Sequence, residues 1–549
     1  MAIKRLRAVA VLAAGCLVAG VTAACGGGGS SAAGADGLVL NVAGQSDNLT
    51  RVFNPYLANT ALSVGSGGMI YEPLVEVNYV KVGDYIPWLA KSWAWTNGNK
   101  TLTLKLQHGV QWSDGKPFSS ADVVFSYNLM KKYPALNLNG IDFDTVKAAG
   151  PDAVVLNFTQ PAAQDFTTIV TLEIVSQHVW SKVSNPVTYQ DKNPVGTGAF
   201  TLSKFSPQSY LLLKNPHYWQ TGKPKIGGLR FIAYSDNQAQ ANALVQGKVD
   251  WAGTYIANYK QTYLSRSKDY HYWAPDVGMD GLIPNLDVFP LNDLAIRKAI
   301  SLAVDRQQLG DSRNSHPATS QIGLPMPAFK DAIAQQYQGM NFTQDKAAAI
   351  KLIEGDGYTK GNDGYYQKNG KKLAFSISFP SAYTDIAAPA QVLVSQLKDV
   401  GIKVTIDGVA VDDINKMTST GKFMSTIGYP VDSAPTVYSF YHNIMDPEFY
   451  KPVGTPTPTY QNIERFQNAT AKKLFQQYPL ATTDAQRNAI IAQLEGIWID
   501  NLPMITLFYW GYYGDWSTAK VTGFPSDSDP YFAPNPNPVV AVNLVPKGK

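Results

Sequence analysis

The chain has 549 residues, with 46 Lys and Arg against 42 Asp and Glu and no long basic run, so nucleic acid is not expected as a partner. That length exceeds what one hydrophobic core fills and suggests about three domains. Both cysteines, Cys16 and Cys25, stand near the amino terminus, so the body beyond them is expected to use neither disulfides nor thiolate chemistry.

Residues 1–24 read as a secretory signal: Lys4, Arg5 and Arg7 precede a mostly apolar run from Ala8 to Ala24. A retained membrane anchor is the competing reading of a run that long. Ala23-Ala24 before Cys25 resembles a bacterial lipobox, with Thr22 where leucine is usual. Cys16, after Ala13-Ala14-Gly15, is a rival, but it would strand an apolar run on the mature protein. Cys25 is the expected lipidated residue, and residues 25–37 are its flexible tether.

Leu38 to Val42 reads as the first strand of a sheet. From Thr101 to Leu106, Leu102, Leu104 and Leu106 alternate with polar residues, the pattern of a half-buried strand. Residues 113–117 (SDGKP) form a turn, and Ser119, three residues before Asp122, caps a helix with Ala121, Phe125 and Leu129 on one face. Ala153 to Phe158 is a further strand. Gly196-Thr197-Gly198 suggests a nucleotide loop, but neither a third glycine nor a preceding strand supports it.

Asn237 to Val245 is expected to be helical. So is Leu291 to Arg306, capped by Asn292, with Ile296, Ala299, Ile300, Ala303 and Val304 along one stripe. Asp345 to Glu354 is a helix stopped by Gly355, and Asn369-Gly370 marks a hairpin. The strand through Leu373, Phe375, Ile377 and Phe379 leads to a helix carrying Leu393, Leu397 and Val400, then to a strand from Ile402. A crossover that short implies a parallel, right-handed pair. Thr483 and Gln486 open a late helix, and Pro503 to Tyr509 reads as the final strand.

Several of these blocks carry a resemblance. Residues 71–74 (YEPL), 87–93 (PWLAKSW), 109–126 (GVQWSDGKPFSSADVVFS), 194–200 (PVGTGAF) and 291–306 (LNDLAIRKAISLAVDR) resemble, in order, the family 5 extracellular solute-binding proteins of bacterial ABC importers. The resemblance implies an α/β, two-lobed periplasmic-binding-protein-like fold (type II, cluster C) with an additional domain inserted in the N-terminal lobe. Lobe I would comprise 38–57, 193–283 and 505–549, the extra domain 58–192, and lobe II 284–504, with hinges near 284 and 504. It also implies an exported monomer, lipid-anchored to the outer face of the cell membrane, that works with ABC permease subunits and needs no cofactor or metal.

Catalysis is not expected. The six histidines are scattered without metal-ligand spacing, and Ser46 and Ser66 miss the nucleophile-elbow pattern. Asp412 and Asp413 are adjacent and diverge on a helix. The remote alternative is a secreted hydrolase.

Two ligand classes fit the resemblance. Residues 428–432 (GYPVD) stand where peptide receptors of the family place an aspartate against the ligand's α-amino group, which would make Asp432 an anchor for oligopeptides. Asp432 as a turn cap before Ser433-Ala434-Pro435 explains the same residue. Residues 250–259, 271–273 and 521–534 instead resemble the branch that binds β-linked oligosaccharides of cello, manno or xylo type, although Phe524 replaces its usual tryptophan. Trp251, Tyr255, Tyr429, Tyr438, Tyr509 and Trp510 are the candidate platforms, with Asn285 grouped among the ligand-binding residues. Each aromatic taken singly is better explained as core.

Overall fold

The computed structural model describes residues 37–46, 48–57, 60–138, 140–428, 436–457 and 461–548. Cys25, Tyr429 and Asp432 lie outside them.

Alternating and continuous apolar runs make three larger sheets. The first has seven strands, in the order Tyr270–Trp273, Gly514–Ser517, Trp251–Ala252, Val39–Gln45, Gly228–Tyr234, Ser209–Lys214 and Phe200–Ser206. Val39–Gln45 runs parallel to both Gly228–Tyr234 and Trp251–Ala252, so the Asn237–Val245 helix is the crossover of a βαβ unit. Asp236 caps that helix by accepting from Ala239 N at 2.7 Å.

The additional domain is an antiparallel sheet of Ala90–Thr96, Thr101–Leu106, Ala153–Asn157 and Thr145–Ala148, covered by the Ser120–Lys132 helix. Leu102, Leu104 and Leu106 are fully buried, as their alternation requires. The Ser119–Asp122 capping box is present. Of the expected face Leu129 is buried, but Ala121 is exposed and Phe125 only half-buried, and the helix also buries Val123, Tyr127 and Met130. The stripe 123, 127, 130 satisfies the same helical period and ends in larger side chains. This domain shares one hydrophobic core with the first sheet, from Leu40 through Leu104 to Val540.

The Gly-Thr-Gly segment is explained by packing. Gly198 N donates to Ile70 O at 2.9 Å, and a Cβ on Gly196 or Gly198 would overlap the carbonyls of Met69 and Ile70. The glycines let two backbones touch where the additional domain joins the first lobe.

The second lobe holds a five-stranded sheet in the order Lys403–Val409, Ala374–Pro380, Ser425–Gly428, Asp276–Pro284 and Ile505–Gly511. Ala374–Pro380 is parallel to Lys403–Val409, joined by the Thr384–Asp399 helix. The Asn369-Gly370 turn takes the positive φ angles of a tight hairpin.

The expected helix over 291–306 is two helices, Leu294–Ala303 and Arg306–Arg313. Asp293 rather than Asn292 caps the first, and Asp305 caps the second through Gln308 N at 3.1 Å. The late helix, Asp484–Asn501, opens on the expected capping box. The Thr483 hydroxyl accepts from Gln486 N at 3.3 Å, and Gln486 Oε1 accepts from Thr483 N at 3.2 Å.

Two strands link the lobes. Asp276–Pro284 and Ile505–Gly511 pair with each other and belong to the second sheet, whereas Tyr270–Trp273 and Gly514–Ser517 belong to the first. The crossings therefore fall at residues 273–276 and 511–514, at the opposite ends of these strands from the expected 284 and 504. Ile505–Gly511 is also not the last strand, since Gly514–Ser517 and the Pro538–Asn543 helix complete the first lobe.

Candidate ligand-binding site at the lobe junction

In each lobe a strand of a parallel pair ends at the junction and a helix begins there. Gly228–Tyr234 leads into the helix starting at Asn237, and Ala374–Pro380 leads into the helix starting at Thr384. Ligands of open α/β sheets bind at these carboxyl ends. Asn237 and Asp385 meet there, with Asn237 Nδ2 donating to Asp385 Oδ1 at 3.2 Å. Asn314 Nδ2 crosses the same boundary to Ile256 O at 3.3 Å.

Aromatic side chains gather beside this contact. The Tyr255 and Tyr513 rings are 6.1 Å apart, and Tyr272 lies 6.3 Å from Tyr513 while stacking on Tyr259 at 3.9 Å. Trp510 lies across Gly278, its partner in the adjacent linking strand, where a larger residue would displace the indole. Tyr512 meets Trp510 edge-on at 4.8 Å, and Tyr79 of the additional domain approaches Tyr512 at 6.5 Å. Asn78 fixes the base of Tyr79 by donating to Tyr531 O at 3.2 Å. Trp510, Tyr512, Tyr513 and Tyr79 are all half-buried. Rings of this kind present an apolar face with a polar edge.

The electrostatics follow from burial. Tyr255 is held above its ordinary pKa by burial and by Asp385, with Arg313 opposing. Burial alone would depress the Arg313 guanidinium, but Tyr513 and Asp385 beside it leave it above its usual value. Burial likewise raises Asp276 at the start of its linking strand, against the pull of His316 at 2.7 Å. Among the described residues no group of His, Cys, Asp and Glu could hold a metal ion.

The structure separates the sequence-expected residues. Tyr255 and Trp510 stand at the junction. Trp251 does not: it is 0% exposed, its indole N–H donates to Pro534 O at 2.8 Å, and Phe524 packs against it. Asn285 is consumed by the backbone, donating to Gly421 O and Phe423 O and accepting from Asp287 N. Tyr438 is 4% exposed and stacks on Tyr478 at 4.1 Å in the second lobe's core. Tyr509 is buried, with its hydroxyl on Thr319 Oγ1 at 2.7 Å. All four are enclosed by packing in this structure, Trp251, Asn285 and Tyr509 through hydrogen bonds and Tyr438 through stacked rings. Tyr79, Tyr512, Tyr513, Asn237, Asp385 and Arg313 escaped sequence reasoning. For Tyr512 and Tyr513 a signal existed in the aromatic run from Tyr509 to Tyr513; the others are joined only by tertiary contact.

Known proteins resemble this chain along most of its length. Protein XP55 of Streptomyces lividans is 26% identical over 366 residues, covering 64% of each chain. The oligopeptide-binding protein OppA of Bacillus subtilis is 22% identical over 510 residues, covering 87% of this chain and 89% of its own. A periplasmic oligopeptide-binding protein of Thermotoga maritima superposes with a TM-score of 0.84 at 21% identity, covering 93% of this chain and 99% of its own. Its mannohexaose-bound form superposes with a TM-score of 0.81 at 22% identity and the same coverage. Residues 84–451 match the family model of bacterial extracellular solute-binding proteins, family 5, and the chain belongs to that family.

Proposed function

We propose that this protein captures an oligopeptide by closing its two lobes and delivers it to the permease of an ABC importer, acting as a monomer held to the outer face of the cell membrane through Cys25. The observation that carries the reading is the junction itself. Among the described residues, two sheets joined by two linking strands present their parallel-strand carboxyl ends to each other, with half-buried aromatic rings alongside. That arrangement suits a binder, which needs converging surfaces rather than a nucleophile. The alignment with OppA over most of both chains supports peptide as the ligand class.

A second reading, a β-linked oligosaccharide, is favoured by the wall of Trp510, Tyr512 and Tyr79. Neutral sugar rings take stacking surfaces in place of ion pairs. The mannohexaose bound to the Thermotoga maritima protein supports it too.

Thermal-shift screening against di- to pentapeptides and cello-, manno- and xylo-oligosaccharides tests both. A ligand at a hundred times its dissociation constant adds about 2.7 kcal/mol of stability. Turnover of any of these compounds by the purified protein would overturn the binding reading in favour of a hydrolase.

A further inference from the structure

The contact between Asn237 and Asp385 is built differently on its two sides. Asp385 is tied within its own lobe: its Oδ2 accepts from Arg313 Nη2 at 2.9 Å. The other terminal nitrogen of Arg313 pairs with Asp280 in the linking strand Asp276–Pro284. The Arg313 side chain is 2% exposed and that of Asp280 is 0% exposed, and the guanidinium lies 5.0 Å from the centre of the Phe508 ring in the other linking strand. Arg313 thus joins both linking strands to the first turn of the Thr384–Asp399 helix.

Across the boundary the partner is neutral. Asn237 reaches Asp385 from the first turn of its own helix, and Thr254 beside it is fixed by its backbone N–H on Asp515 Oδ2 at 3.0 Å. Asn237, Thr254, Asp385 and Asp515 are all buried. Separation of the lobes would break the amide–carboxylate bond and hydrate both groups, yet Asp385 would keep its guanidinium. Opening would therefore strand no unpaired charge, and the contact favours closure only by the small net margin of a hydrogen bond over its exchange with water.

We infer that Asn237 and Asp385 form a reversible latch on the closed state, with Arg313 as the positioning residue that aims Asp385 at its partner. The inference rests on the lobe-closing reading above and adds that closure is favoured by the protein's own side chains, so the ligand-free protein samples it. A ligand then meets a population already partly closed, and its apparent affinity depends on that fraction.

Single-molecule energy transfer tests this. The full chain carrying Cys16→Ser and Cys25→Ser offers no native thiol, so dyes can be placed on Lys248→Cys and Lys398→Cys, exposed positions in different lobes. Without ligand, the parent should show open and closed populations. Asn237→Ala should raise the open-to-closed ratio at least fivefold, and Asn237→Asp, which sets two carboxylates face to face, should raise it further. Both should retain the parent's circular dichroism. A ligand-free parent with only an open population overturns the latch. So does an Asn237→Asp distribution matching the parent, which would make the contact a fixed part of the hinge. These histograms are taken without ligand, so their failure leaves the solute-binding reading intact. Absence of binding in the peptide and sugar screens overturns that reading without touching the histograms.

Discussion

Glu72 offers a quantitative test of how the additional domain is fastened to the first lobe. Its carboxylate is buried and accepts from Trp88 Nε1 at 2.8 Å, Tyr218 OH at 3.0 Å and Trp219 Nε1 at 3.0 Å. Trp88 lies within the additional domain, and Tyr218 and Trp219 follow the return to the first lobe. Burial raises the Glu72 pKa to about 7 despite these donors. A folded-state value above the unfolded one means that the native protein holds the proton more tightly. The resulting stability is present in full below the unfolded value near 4.5 and is lost as pH rises through about 7. Between pH 5.5 and 8 this one group should withdraw about 2 kcal/mol. Burial pushes Glu76 to about 8 and Glu173 to about 7, so both act in the same direction.

Glu72→Gln removes the titration while keeping an acceptor for Trp88 and Tyr218. Its amide NH2 replaces the oxygen that accepts from Trp219 Nε1 at 3.0 Å, leaving that half-buried donor only the longer 3.3 Å contact to Oε1, at a cost of about 1 kcal/mol. Urea unfolding followed by tryptophan fluorescence at several pH values reads both effects. The wild type should lose stability from pH 5.5 to 8, and the variant should lose about 2 kcal/mol less over that interval. Parallel curves for the two proteins, or a wild type that gains stability toward pH 8, would refute the reasoning.

Other perturbations separate packing from binding. Trp251→Ala should cost about 3–5 kcal/mol in unfolding experiments, because it empties an enclosed indole site. Trp510→Ala should leave stability closer to wild type but weaken ligand binding by about 2 kcal/mol, roughly thirtyfold by calorimetry. If the ligand is a peptide, Asp432→Asn should cost about 2–5 kcal/mol of affinity by stranding an ammonium, and N-acetylated peptides should bind as poorly. With a sugar ligand the same change should cost only about 0.5–1.5 kcal/mol. Cys25→Ser should release the protein from membranes into the medium, as fractionation and immunoblotting would record.

What the sequence made legible follows from the range of the forces involved. Leu102, Leu104 and Leu106 announce a strand because alternation is local, and Ser119 with Asp122 announces a helix start for the same reason. The break between Ala303 and Arg306 is harder to see: Val304 continues the apolar stripe, and neither glycine nor proline marks the turn. There Asp305, capping Gln308, ends one helix and begins another. Composition could not separate Trp251 from Trp510, since an indole suits a core and a platform equally well. Their neighbours decide: Pro534 and Phe524 enclose Trp251, while Gly278 gives Trp510 a shelf at the lobe boundary. The polar side of the junction was invisible for a stronger reason. Asn237 and Asp385 are 148 positions apart in the chain, and each looks locally like an ordinary first-turn helix residue. Topology makes them a pair, because two strand-to-helix turns in different lobes open toward the same boundary. The helix at Asn237 and the strand through Leu373 and Phe379 were readable, whereas the Gly228–Tyr234 strand and the helix start at Thr384 were supplied by the structure, so the proposed site was only partly marked in the sequence.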